Sequence, residues 1–337
     1  MIAKVPSSPR ATGLPIMLLT HPRACSTAFE RVLMTRRDAV VCLNEPFADP
    51  SFFGPEACVE RHHANGEKGP RPGFERCTFK ERMDLVKGEN VPDEGKRAFI
   101  KDMAFQLSPW REREKLQIAK SLQHLQSDKD EGNPSVLPLA ILQRFQWTFL
   151  IRHPQQSIPS LFRLSSTAAK REETGWQYFL PSESGYYELR RMYDHLSRQG
   201  VIPSLSPQSV DGEKQQGAHP CLIDAEDLLR QPEKVVKAYC GCIGLDYRPD
   251  MLQWDSNEDV DQAAQVFATW TAFHRDAIES RGLEARKPRP SRSKEEVFDS
   301  WVTEFGEEGA TLIQKTIKEN LPHYLYLKQF AIQIEDC

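Results

Sequence analysis

The chain has 337 residues, is 39% hydrophobic and 27% charged, and carries a formal net charge of −4. That balance excludes a general nucleic-acid binder, which shows a basic excess. No apolar run approaches the ~20 residues that span a bilayer, so a soluble, cytoplasmic protein with no nucleic-acid or membrane partner is expected.

Residues 1–13 are polar and contain Pro6 and Pro9, the composition of a loose arm. The run 16–20, IMLLT, reads as a buried strand. The wider run Leu14 to Thr20 is too short for the core of a signal peptide and has no small-residue cleavage site behind it. It breaks at His21-Pro22 into a small-residue loop, and Ser26 and Thr27 open a helical pattern over 27–37. Further strands are predicted at 40–43 (VVCL), 98–100 within RAFIKD, 147–151 (WTFLI) and 221–223 (CLI). All are short and apolar on both faces, as in a covered parallel sheet. Helical patterns fall between them at 110–126, 154–165 and 188–198. The alternation predicts an α/β fold, a doubly wound parallel sheet of about five strands flanked by helices. Beyond the last strand the chain is helical. Asp224 caps a short helix to 229, Pro232 opens the next, which stops near Gly244, and further patterns cover 259–280, 293–305 and 309–319. Polar stretches at 61–97, 127–138 and 203–219 read as surface insertions or lids on a single domain spanning 1–337. The eight cysteines are scattered, and only Cys240 and Cys242 are close. They read as reduced thiols, and no metal is expected.

Strand, tight loop and helix N-terminus form an architecture that holds phosphate, because N–H groups at the helix start point at the anion and the helix dipole adds positive charge. The loop after residue 20 has that form but lacks the Gly-Lys-Ser/Thr of a Walker A sequence, and Arg23 supplies the fixed cation. This points away from ATP and GTP hydrolysis towards another phosphate-bearing donor.

In open parallel sheets, ligands bind beyond the carboxyl ends of the strands. The first four strands each deliver a functional side chain there: Arg23, Glu45 in LNEPF, Lys101 in FIKDM and Arg152 in LIRHP. Each has a plainer reading. Arg23 could cap a helix C-terminus. Glu45, which precedes a proline and should be extended, could pair with a surface lysine. Lys101 could form a surface ion pair with Asp102, and Arg152 a structural salt bridge. The anion reading is preferred for Arg23, and for Arg152 because a helix N-terminus would reinforce it. His21 and His153 read as packing or turn residues, and His62 and His63 as solvated. Trp270, Phe273 and Ala277 read as a core stripe at helical spacing. Phe47, Phe52 and Phe53 fit either an apolar acceptor pocket or core packing.

At these residues the chain resembles the sulfotransferase family, which moves a sulfuryl group from 3′-phosphoadenosine 5′-phosphosulfate (PAPS). PRACSTAF, 22–29, is similar to the 5′-phosphosulfate loop, usually Pro, Lys or Arg, Ser, Gly, Thr or Ser, Thr. RHPQQSIPS, 152–160, is similar to the 3′-phosphate motif, with Arg152 followed eight positions later by Ser160. Residues 223–252 resemble the late strand-helix-helix segment. The resemblance covers about residues 14–255. The remainder is more similar to a fungal-type subgroup of secondary metabolism than to the cytosolic aryl sulfotransferases. There are two departures. Cys25 stands where the family loop commonly has Gly, which implies a different local backbone path. The late Arg-Lys-Gly loop has no clear counterpart, and the basic run 286–294, RKPRPSRSK, reads as solvated charge rather than its replacement.

The resemblance implies a P-loop-like sulfotransferase fold and transfer from PAPS to a hydroxyl or amine of a small-molecule acceptor, leaving PAP. Arg23, Ala24, Cys25, Ser26 and Thr27 would hold the 5′-phosphosulfate, and Arg152 and Ser160 the 3′-phosphate. Glu45 would be the general base, with Lys101 and Arg23 stabilising charge on the transferred group. The residues leave three rival readings open: a sulfotransferase-like fold with altered chemistry, a P-loop kinase or nucleotide hydrolase, and a non-catalytic binding module.

Overall fold

The computed structural model describes residues 13–64, 66, 69–86, 95–110, 118–203, 220–287, 290 and 292–334. Within them the apolar runs pair into one sheet of five parallel strands: β1 (Ile16–Thr20), β2 (Val40–Asn44), β3 (Arg97–Met103), β4 (Gln146–Ile151) and β5 (Cys221–Asp224), in the order β2-β3-β1-β4-β5. The first half also contains helices α1 (Ser26–Met34), α2 (Ala48–Phe52), α3 (Glu60–Ala64), α4 (Phe79–Asp84) and α5 (Leu139–Leu142). The second half contains α6 (Pro154–Ser166), α7 (Ala168–Thr174), α8 (Tyr186–Arg198), α9 (Ala225–Arg230), α10 (Pro232–Ile243), α11 (Asn257–Val266), α12 (Thr271–Glu279) and α13 (Lys294–Lys328).

Strand residues alternate between the two faces of the sheet. Met17, Leu19, Ile100 and Phe149 pack with Leu189 and Met192 of α8 and with Ile313 and Leu327 of α13. Ile16, Leu18, Phe99 and Leu150 pack with Phe29 and Val32 of α1 and with Val235 and Tyr239 of α10. Both faces are therefore covered, and the doubly wound α/β class holds. β1 lies between β3 and β4, where the strand order reverses, so a crevice opens beyond its carboxyl end.

The structure corrects several local expectations. β3 runs on to Met103, so Lys101 lies inside the strand rather than after it. The helix expected over 110–126 is, where described, a 3₁₀ turn at Lys120–Leu125, and residues 111–117 lie outside the described residues. The 259–280 pattern divides into α11 and α12 around a 3₁₀ turn at Ala268–Trp270. The stretch 127–138 is a surface loop only in its first part: residues 127–129, 131 and 132 are exposed, whereas 130 and 133–138 are buried. Asp130 is fully buried and accepts hydrogen bonds from Ser127 N, Asn133 Nδ2 and Leu139 N, which satisfies its carboxylate inside the protein. Of the other insertions, 204–219 lies outside the described residues, while 61–97 contributes part of α3 and all of α4. Helix α13 breaks at Gly306 (φ 76°), between the two patterns expected there.

Candidate active site

Tight turns carry the chain away from β1 and β2. Among the described residues three non-glycine positions have positive φ: Arg23 (62°), Cys25 (64°) and Glu45 (44°). All three line one cavity of about 1280 Å³. Such conformations cost about 1–3 kcal/mol each and persist where the surroundings enforce them. Glu45 precedes Pro46 yet is not extended as expected. Its N–H donates to Lys101 O (2.8 Å) and its carbonyl accepts from Ala48 N (3.0 Å), which holds the turn. Cys25 adopts the left-handed conformation that glycine favours.

Cys25 is the N-cap of α1 and offers it no side-chain cap. The N–H groups of Ser26, Thr27 and Ala28 find no acceptor among the described residues, and the three residues line the cavity. This is the open helix start that binds anions. The Ala24 side chain is fully buried in the core beneath α1. The start of α6 differs. Pro154 has no N–H, and the Gln155 and Gln156 N–H groups bond back to His153, so this helix end does not reinforce Arg152 as expected.

Arg152 lines the cavity. Its Nη1 donates to Arg23 O (3.1 Å) and its Nε to Glu226 (3.3 Å). Arg23 donates from Nε to Ser160 Oγ (2.9 Å) and from Nη1 to Phe273 O (2.7 Å). The two arginines and Ser160 therefore share one wall. His21 buttresses it from behind. Its Nδ1–H donates to Pro22 O (3.0 Å), its Nε2 accepts from Arg152 N (2.9 Å), and its ring stacks on Tyr186. With both nitrogens occupied and burial the main cause pushing its pKa down to about 3, His21 is a packing residue, as read. His153 is the turn residue expected, the N-cap of α6. His62 is not solvated but buried, with Nδ1 bonded to Phe52 O.

At the end of β2 the Glu45 carboxylate takes Lys101 Nζ on Oε1 (2.5 Å) and Gln106 Nε2 on Oε2 (3.1 Å). Burial pushes its pKa up, but Lys101, His274 and Gln106 together outweigh that and hold it below the usual range. Lys101 is 0% exposed, does not line the cavity, and lies 3.9 Å from a second buried carboxylate, Glu30. Among the described residues its hydrogen-bonded link to the cavity is Glu45, which corrects the expectation of direct contact with a transferred group. The surface pair with Asp102 also fails, because that buried carboxylate accepts from Phe47 N and Met103 N instead. Glu30 accepts from Asn44 Nδ2 (2.7 Å), and burial raises its pKa to about 7 against the pull of Lys101 and Asn44.

His274 belongs to none of the sequence motifs. Carried by α12, it bonds Thr27 Oγ1 through Nδ1 (2.9 Å) and presents Nε2 to Glu45 Oε1 at 3.7 Å. Its only sequence signal is its place in the Trp270–Phe273–Ala277 stripe. That stripe is not core either, since all three residues are half-buried and line the cavity. Trp270 and Phe273 form an aromatic wall with Phe52 and Trp176, whose rings lie 5.9 Å apart. Phe47 is core, and Phe53 packs on Phe74 and Trp270. From the basic run, exposed Arg286 and Arg292 border the cavity, while residues 288, 289 and 291 lie outside the described residues. The cavity lining thus carries six arginines against four carboxylates in a protein of net charge −4. The excess of positive charge lies in a cavity that also holds the Glu45 carboxylate and the aromatic wall.

No family model matches the chain. Two fungal proteins named Sulfotransferase ppzF, from Metarhizium rileyi and Metarhizium majus, are each 26% identical to it over 197 residues, 58% of this chain and 55% of theirs. The chain spans about half the length of these curated relatives. Among solved structures, mouse sulfotransferase SULT7A1 complexed with PAP superimposes with a TM-score of 0.41 and 12% identity, covering 95% of this chain and 90% of that one. The resemblance to sulfotransferases of fungal type, first carried by short motifs, thus extends over more than half of the sequence.

Proposed function

We propose that the protein is a PAPS-dependent sulfotransferase acting on a hydroxyl or amine of a small, apolar acceptor. One observation carries this reading: the open start of α1, Arg23 and Arg152 share a single cavity with the Glu45 carboxylate and an aromatic wall. In it, the N–H groups of Ser26, Thr27 and Ala28 hold the 5′-phosphosulfate, and Arg152 with Ser160 holds the 3′-phosphate. Arg23, fixed by Ser160 Oγ and Phe273 O, stabilises charge that develops on the transferred group. Glu45 accepts the acceptor's proton, and Lys101 serves as its counter-ion. Phe52, Trp176, Trp270 and Phe273 hold the acceptor's apolar body.

Transfer is an in-line displacement at sulfur, where positioning and charge stabilisation supply most of the catalysis, as in phosphoryl transfer. Titration calorimetry with PAP and ADP tests the reading. PAP binds, and ADP, lacking the 3′-phosphate, binds at least tenfold more weakly. Equal affinities for the two, or no heat with PAP, overturn it.

A further inference from the structure

His274 is 6% exposed, and its Nε2 is a buried polar atom without a hydrogen-bond partner among the described residues. Buried polar atoms left open in a folded protein call for an explanation. This one sits between two groups of the proposed reaction: Thr27 Oγ1 at 2.9 Å from Nδ1, and Glu45 Oε1 at 3.7 Å from Nε2. We propose that His274 is a positioning residue that links the donor loop to the proton-accepting carboxylate, its tautomer set by whether an anion occupies the start of α1. The inference rests on the sulfotransferase reading and adds to it a second group that takes up the proton.

The argument follows the hydrogens. A threonine hydroxyl has one hydrogen to donate. With no anion bound, the negative Glu45 favours a hydrogen on Nε2, so Nδ1 is a bare acceptor and Thr27 donates to it. An anion at the start of α1 draws the Thr27 hydrogen to itself. Thr27 Oγ1 can then only accept, which requires the imidazole hydrogen on Nδ1 and leaves the Nε2 lone pair facing Glu45. In the transfer step the acceptor's O–H (or N–H) bond breaks as its bond to sulfur forms. The bond from sulfur to the 5′-phosphate oxygen breaks with its electron pair leaving on PAP. The proton goes to Glu45 and on to Nε2, giving an imidazolium between two negative groups, and reaches solvent when the products leave.

The surrounding charges agree. Burial first, then Lys101 and Arg23, push the His274 pKa down to about 3 against the pull of Glu45, so the resting imidazole is neutral. A multiply charged anion against Thr27 raises its proton affinity at the moment a proton is released.

Long-range proton–nitrogen spectra of the ¹⁵N-histidine-labelled protein read the tautomer directly. His274→Gln assigns the signal among the nine histidines. The expected result is hydrogen on Nε2 without ligand and on Nδ1 with saturating PAP. In Thr27→Val the hydrogen stays on Nε2 with or without PAP. Calorimetry on the same samples separates the failures. PAP binding with an unchanged His274 tautomer overturns this inference alone. Absence of PAP binding removes the sulfotransferase reading and the inference with it. A His274 signal that titrates as a solvent-exposed imidazole overturns the inference whatever PAP does.

Discussion

Glu30, Lys101 and Glu45 place two carboxylates and one ammonium in the interior, with Lys101 2.5 Å from one carboxylate and 3.9 Å from the other. Removing one partner of such a group leaves uncompensated buried charge, so Lys101→Met should lose about 3–5 kcal/mol of stability in urea unfolding. Glu30 gives the cluster a pH signature. Its folded pKa of about 7 lies above its ordinary value of 4.5, chiefly through burial, so the native state binds this proton more tightly than the unfolded chain. The stability that this proton contributes is complete below pH 4.5 and is lost as pH rises through 7. Glu30→Gln stays neutral throughout. Its urea midpoint should therefore rise relative to the parent between those two values, and a gap that does not change with pH would show Glu30 ionised throughout. Under the proposed reading, Glu45 and Arg152 separate chemistry from binding. Glu45→Gln should abolish turnover with PAP affinity within a few-fold of the parent, whereas Arg152→Ala should lose about 1.5–3 kcal/mol of PAP binding. Calorimetry showing equal losses rejects both roles.

The loop that opens α1 is held from below by α8. Gly185, the N-cap of α8, has φ 74°, and a Cβ there would lie 3.2 Å from His21 Cβ and 3.4 Å from Pro22 Cδ. Gly306, in the kink of α13, has nearly the same φ, 76°, with nothing within 4 Å of a built Cβ. Alanine at either position carries the left-handed penalty of about 1–2 kcal/mol. Only Gly185→Ala also presses on the loop that opens α1, so under the proposed function it should weaken PAP binding several-fold beyond Gly306→Ala at similar losses of stability. Equal PAP affinity in both variants would show that the loop does not depend on this packing. These two elements also show what was legible in advance. The strands announced themselves as short runs apolar on both faces, and the break of α13 as a gap in helical spacing. Arg23, Glu45 and Arg152 followed from the rule that strand ends face the crevice. Lys101 passed the same rule and was misplaced, because β3 continues past it and turns its side chain inward. His274 and Thr27 are 247 positions apart, and no local pattern encodes a contact at that separation. The aromatic wall joins α2, Trp176, Trp270 and α12, and the helical spacing of its last members is identical for a core stripe and a cavity wall.

The molecule as a whole is negative, yet the cavity gathers arginines from the loop after β1, the end of β4, the last turn of α6, the segment after α12 and the basic run. A concave site of one sign within low-dielectric walls focuses its field on the ligand, while the distant surface charges are screened by salt. Two consequences can be measured together. Binding to the folded state alone stabilises by mass action, about 2.7 kcal/mol at a free ligand concentration of one hundred times Kd. For a chain of this size that corresponds to a rise in Tm of roughly 4 °C with PAP. If the proposed contacts join fixed arginines to a multiply charged anion, PAP affinity should fall about tenfold or more as NaCl rises from about 0.05 to 0.5 M, taking part of the Tm rise with it. The unliganded Tm should change far less over the same range, since the buried Glu30–Lys101–Glu45 group is shielded from ions. A PAP-induced shift indifferent to salt would mean that the adenosine, rather than the paired phosphates, supplies the binding, and the arginine-lined cavity would then need a different anion.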